Sequence, residues 1–202
     1  MEYLVLGFFT GLSLILAIGA QNIFVIEQGL KKQHILLVCL ICSISDLILI
    51  FLGIFLFHYF IQYFNSTIEL ILNILLIIFL IHFIYSKIKS YNSKVEINRE
   101  TQDVSKFDIF LKTLGFTYLN PHVYSDTVFF LGNFSKNLTL NQKILFGTGA
   151  SFASFLFFFL IGYLSKYLSK YAQSEKIWKI INIFIICFMS LLTIYIILET
   201  IN

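Results

Sequence analysis

Two carboxylates stand in stretches of this chain that are otherwise without charge. Asp46 lies in Ser43-Ile-Ser-Asp46, near the middle of an apolar run over 35–57, and Asp126 lies in Asn120-Pro-His-Val-Tyr-Ser-Asp126, inside a run over 113–135. Ionisable groups at membrane depth are costly, which makes each a functional candidate. A purely structural carboxylate there would be paired on a neighbouring helix, but every Lys and Arg sits near or beyond the end of an apolar run. A carboxylate so placed is protonated, hydrated or waiting for a cationic ligand. His122 and Asp126 are four residues apart, so a helix resuming at Pro121 carries both on one face. That pairing suits a proton relay or a plain hydrogen bond. Tyr118 and Tyr124 offer ring faces to a cation, although interfacial anchoring is the commoner use of such residues.

A second feature marks the same stretches. Gly19-Ala-Gln-Asn22 interrupts the first apolar run and Asn120-Pro121 interrupts the fourth. Pro121 cannot donate a backbone hydrogen bond and its ring clashes with a preceding helical turn. Gly19 permits backbone angles closed to other residues. Gln21, Asn22 and Asn120 can satisfy backbone groups that a break releases. Breaks at matching places in two halves point to a transport site, where half-helix N-termini present N–H groups and partial positive charge to an anion. A kinked packing helix is the plainer alternative.

These residues are carried by elements that only lipid can solvate. The chain has 202 residues, 58% hydrophobic, 18% aromatic and 12% charged, about half the charge a soluble domain carries. Apolar runs fall at 3–26, 35–57, 69–86, 113–135, 144–165 and 180–198. They are continuous, as spanning helices are, and lack the alternation of barrel strands. The expected fold is an all-α polytopic membrane protein of six transmembrane helices. The third run is the weakest, holding about 17 apolar residues against the roughly 20 a span needs. The first is preceded by Glu2 with no Lys or Arg, so it reads as a retained helix and not a cleaved leader.

Of the 14 Lys and Arg residues, twelve fall in the connectors after the first, third and fifth runs, and Lys136 and Lys143 fall on the other side. The positive-inside rule then places the long connector in the cytoplasm and both termini outside. Three spans, a charged linker and three more spans make two inverted repeats, with expected bounds 1–90, 91–108 and 109–202. Asn22-Ile-Phe-Val25 against Asn120-Pro-His-Val123 is the slight residue-level echo between them. Cys39 and Cys42 have the spacing of a redox or metal pair, but they lie in an apolar run with no second pair or nearby His, and read as packing residues. No metal, no cofactor and no nucleic-acid partner is expected, and no catalytic constellation is present. Gly7-Phe-Phe-Thr-Gly11 and Gly147-Thr-Gly-Ala-Ser151 read as close helix-packing surfaces.

The same motifs carry a family likeness. Gly19-Ala-Gln-Asn-Ile-Phe-Val-Ile-Glu-Gln-Gly-Leu30 resembles the opening signature of the LysE-type exporters. Cys42-Ser-Ile-Ser-Asp46 looks like that family's second-helix Ser-Asp motif, Leu119-Asn-Pro-His-Val-Tyr-Ser-Asp126 its Leu-Asn-Pro…Tyr…Asp motif, and Ile177-Trp-Lys-Ile-Ile-Asn182 its entry to the last helix. Relatives often carry Pro where this chain has Ala20, and a basic residue where it has Glu27. The resemblance implies export of lysine or arginine without ATP by a multi-pass protein of the bacterial inner membrane. A cation leaving an interior-negative cell needs a coupling ion, and proton exchange is the expected coupling. Its expected partners are basic L-amino acids, protons and the bilayer, with homo-oligomer formation left open. Substrate binding is expected at Gln21, Asn22, Asp46, Asn120, Tyr124 and Asp126, and coupling at Asp46, His122 and Asp126, with Gly19 and Pro121 breaking the helices. The alternatives are an exporter of neutral amino acids such as threonine or homoserine, or a non-catalytic membrane subunit.

Overall fold

The computed structural model describes residues 1–16, 19–63, 66–92, 105–171 and 175–201, and every regular element among them is helical. In chain order these are α1 (Glu2–Ile15), α2 (Ala20–Lys31), α3 (Ile35–Tyr63), α4 (Ser66–Asn92) and α5 (Lys106–Tyr118). Then come the four residues of α6 (Pro121–Tyr124), a π-helical turn (Ser125–Phe130), α7 (Leu131–Ser135), α8 (Leu140–Leu168) and α9 (Glu175–Ile201). Helix is the outcome lipid imposes, because each segment must close its backbone hydrogen bonds within itself. Ile35–Phe57, Leu140–Leu168 and Lys179–Leu198 are long and apolar enough to cross a membrane. The pair α1 and α2, whose axes stand 83° apart, makes a fourth span if counted as one bent element. Leu70–Ser86, the run that looked weakest in the sequence, is a shorter apolar helix within α4. Of the linker expected over 91–108, residues 93–104 lie outside the described residues. Its far end enters α5 through Ser105, whose hydroxyl accepts from the Phe107 N–H at 3.3 Å.

Lipid tails are as apolar as leucine, so helices here associate by close fit and not by the hydrophobic effect. Glycines set the contacts. A Cβ on Gly7 would collide with the Phe146 carbonyl, and one on Gly11 would lie 2.8 Å from the Ala150 Cα. One on Gly149 would strike the Leu4 carbonyl. Both small-residue surfaces expected from the sequence therefore meet, and α1 and α8 run in the same direction. A Cβ on Gly53 would lie 2.6 Å from the Val128 Cα, and one on Gly132 2.9 Å from the Phe57 ring. That second pair of contacts makes α3 parallel to the stretch from the π-turn to α7. Between the pairs, α3 and α8 are antiparallel. Gly162 packs on Cys39, Ser154 reaches Asp46, and Gly147 packs on Ile54. α4 packs on α9.

Cys39 and Cys42 are buried in the main apolar core, and the Cys39 thiol donates to the Phe158 carbonyl at 3.2 Å. Phe116 of α5 is ringed by Phe24, Phe79 and Phe83 at centroid separations of 4.8, 4.8 and 5.1 Å, tying α2, α4 and α5 together. Aromatic pairs of this kind are worth about 0.5–1.5 kcal/mol each beyond area burial. At its C-terminal end α8 carries exposed Tyr163 and Tyr167, and exposed Tyr171 follows just beyond it, making a ladder. Lys166 lies over the Tyr163 ring at 5.6 Å, and Lys170 over Tyr167 and Tyr171 at 4.1 and 4.8 Å.

Candidate functional site

The first break joins α1 to α2. Gly19, the N-cap of α2, has extended backbone angles (φ −114°, ψ −176°) and no side chain to offer the helix. The N–H groups of Ala20 and Gln21 have no acceptor one turn earlier within α2, as in any first helical turn. Across the break, the Asn22 amide donates from Nδ2 to the Ile15 carbonyl at 3.1 Å. A released carbonyl of α1 is thereby satisfied.

The second break is built differently. α5 ends at Tyr118, and the Tyr124 hydroxyl reaches back to donate to the Tyr118 carbonyl at 2.8 Å. Asn120 stands as an N-cap before α6, its Oδ1 accepting from the His122 N–H at 3.1 Å. Pro121 takes the first helical position, where a missing N–H costs no bond. The chain then widens into the π-helical turn that carries Asp126. Within it the Thr127 hydroxyl donates to the Val123 carbonyl at 2.5 Å. Single π-turns inside helices occur often at functional sites.

Asp46 sits on neither break. It lies in the uninterrupted α3, 5% exposed, and its Oδ2 accepts from the Ser154 hydroxyl of α8 at 2.8 Å. Asp126 is half-buried.

A cavity of about 310 Å³ joins these parts. Gly19, Gln21 and Asn22 line it from the first break, Asn120, His122 and Asp126 from the second, and Asp46 from α3. Of the residues expected at a site, Tyr124 is not brought to the cavity wall; its hydroxyl is held by the Tyr118 carbonyl instead. Sequence reasoning missed Ser154, Thr127 and the apolar wall of Leu192 and Ile196 from α9. Ser154 had a weak signal, since it follows the small-residue stretch 147–151, but that stretch reads as packing.

Among the described residues, no Lys or Arg lines the cavity. Two carboxylates in one low-dielectric enclosure repel each other if both are charged, and a cation between them removes that cost. The half-helix N-terminus at Gly19 favours an anion. The volume, near the lower end for small-molecule pockets, suits a ligand the size of an amino acid with one anionic and one or more cationic groups.

The family model described as LysE type translocator matches residues 12–200. The arginine exporter proteins ArgO of Salmonella enteritidis, Salmonella gallinarum and Salmonella typhimurium are each 32% identical over 186 residues, covering 92% of this chain and 88% of theirs. No solved structure matches the chain. With apolar helices able to cross a bilayer, a cavity between them and a family match over nearly its whole length, this multi-pass membrane protein belongs to the LysE type translocator family.

Proposed function

We propose that the protein exports basic amino acids, arginine and lysine, from the bacterial cytoplasm across the inner membrane in exchange for protons. One observation carries the reading: a single cavity gathers Asp46 and Asp126 with the amides of both helix breaks, and none of the described residues lining it is Lys or Arg. The relatives named as arginine exporters give the same substrate class. In this reading Asp46 and Asp126 bind the cationic groups of the substrate, and the break region around Gln21, Asn22 and Asn120 holds its α-carboxylate. His122 passes protons to Asp126. Moving one positive charge outward against an interior-negative potential costs about 2.3 kcal/mol per 100 mV, so a coupling ion is needed. Protonation of the two carboxylates from the outer side releases the substrate.

Counting the bent α1–α2 pair, α4 and the broken α5–α7 stretch as spans gives six. The helix directions support two inverted repeats, 1–90 and 109–202. The first broken stretch pairs in parallel with α8 of the other half, the second pairs in parallel with α3, and α3 and α8 run antiparallel between them. A pseudo-two-fold axis in the membrane plane relates such an arrangement to itself. The charge bias puts the linker in the cytoplasm and both termini outside.

Export of labelled arginine and lysine from cells fed the corresponding dipeptides tests the reading. Cells with the protein should clear intracellular arginine and lysine severalfold faster than cells without it, and a protonophore should stop them. Equal rates, or acceleration only for threonine or homoserine, would sink it.

A further inference from the structure

The cavity lies to one side of the Asp46–Ser154 contact. Asp46 and Ile50 line it from α3, Ser154 and Ala150 from α8, and Gly11 and Leu14 from α1. Those positions run toward the end of the bundle where Gly149 meets Leu4. At the other end, where Gly29 of α2 meets Gly162 of α8, the same helices close into one apolar core. Cys39, Cys42, Phe158 and Met189 belong to it, together with Phe24 of α2 and Phe116 of α5. A carrier must open each side of its site in turn, so the packed end has to part. The two half-helices that meet there are held differently. α2 is fixed backbone to backbone: a Cβ on Gly29 would lie 2.5 Å from the Gly162 carbonyl oxygen and 3.3 Å from the Lys166 nitrogen. α5 is held by side chains. Phe116 inserts among Phe24, Phe79 and Phe83, and a Cβ on Gly115 would first meet the Phe79 ring. Toward α3 it sets Thr117 beside the Cys42 thiol, again side chain to side chain. Side chains change rotamer far faster than packed helices shift. α5 also ends at the second break, with Asn120-Pro121 and the π-helical turn behind it, and hinges are a few such residues at element ends.

We propose that Phe116 is the plug of a gate on the Lys31 side of the site, and that α5 opens it by turning about the second break while α2 stays on α8. The inference rests on the export reading above, in which the substrate enters from that side. It makes the second broken stretch the moving arm and puts Asp126 on its hinge, so that what binds at Asp126 bears directly on the gate.

The test links residues in pairs in the full-length protein in proteoliposomes and follows exchange of labelled arginine. A bifunctional methanethiosulfonate that dithiothreitol cleaves joins Phe24→Cys to Phe116→Cys. In a second variant it joins Phe8→Cys to Phe152→Cys, whose parent rings lie 6.0 Å apart across α1 and α8. Wild type given the reagent is the reference for the native thiols, and peptide mapping identifies the joined pair. Linking 24 to 116 should lower exchange at least tenfold, with recovery on cleavage, whereas linking 8 to 152 should leave it within twofold. Phe116→Ala and Phe116→Leu give a second reading without linkage. Under an interior-negative potential, with equal pH on both sides and no arginine inside, Phe116→Ala vesicles should take up arginine at least fivefold faster than wild type, because the plug is gone. Phe116→Leu keeps an apolar plug and should stay within twofold. Exchange that survives the 24–116 link would overturn the gate, as would equal losses from both links. So would a Phe116→Ala protein that exchanges more slowly and leaks no faster, the behaviour of a residue that only packs. A wild type that exchanges no arginine overturns the export reading itself, a result distinct from these.

Discussion

Asp46 and Asp126 look alike in the sequence, each a lone carboxylate in an apolar run, but the structure sets them in opposite mechanical circumstances. Asp46 is nearly inaccessible, on a continuous 29-residue helix, with one oxygen fixed by Ser154 from the helix that crosses it. Asp126 is half-buried, on a π-helical turn inside a stretch cut into α5, α6 and α7. Packing holds the first, and a local backbone irregularity carries the second. A carboxylate clamped by a straight helix keeps its place while its surroundings change. One on a widened turn moves whenever that turn tightens to regular helix. In the proposed export reading, the difference makes Asp46 the stationary carboxylate and Asp126 the one able to travel.

The comparison can be broken outright by removing the charges. Asp46→Asn and Asp126→Asn should each abolish arginine export with protein abundance near wild type, because Asn keeps shape and much of the hydrogen bonding. Loss of abundance alongside activity would instead mark a structural ion pair whose stranded partner costs several kcal/mol. Export retained by both variants would show that neither charge serves transport. Lengthening the side chains separates the two residues more finely. Asp46→Glu must fit an extra methylene into a close-packed crossing, where overpacking costs about 1–3 kcal/mol, and should lower export at least tenfold. Asp126→Glu has room on a half-open turn and should stay within about threefold, so equal sensitivity would erase the distinction. An effect smaller than that of Asp46→Glu is expected from Ser154→Ala. One hydrogen bond to a carboxylate is removed, about 1 kcal/mol net, and the KM for arginine should rise about fivefold with the maximal rate unchanged. A fall in rate at constant KM would give Ser154 a role in the conformational step.

Much of the candidate site was legible in the sequence, for reasons local to the residues. Asn120-Pro121 announces a break because proline cannot continue a helix behind it, and Asp46 stands out because no nearby charge accounts for it. The packing faces at Gly7–Gly11 and Gly147–Ser151 were visible as small-residue spacing. What escaped was non-local. Ser154 becomes part of the site only because α8 crosses α3 at that level, 108 residues away in sequence. The π-turn has no signature in the side chains of Ser125–Phe130, and it lies where that stretch closes on Gly53 of α3. Tyr124 stands among Asn120, His122 and Asp126 in the sequence, but its hydroxyl goes to the Tyr118 carbonyl.

The tyrosine and lysine ladder at the end of α8 acts as a depth gauge. Tyr and Lys of this kind settle at the boundary between hydrocarbon and headgroups, and sliding α8 by one turn would drag Lys166 and Lys170 about 5.4 Å into the hydrocarbon or pull apolar surface out of it. At about 1.5 Å per residue, Ser154 lies about 14 Å from Tyr163 and about 20 Å from Tyr167 along the same rigid helix. Half the hydrocarbon thickness is about 15 Å. The ladder that grips one face of the bilayer therefore holds the Ser154–Asp46 contact close to its midplane, the level at which a carrier's site is equally far from both waters.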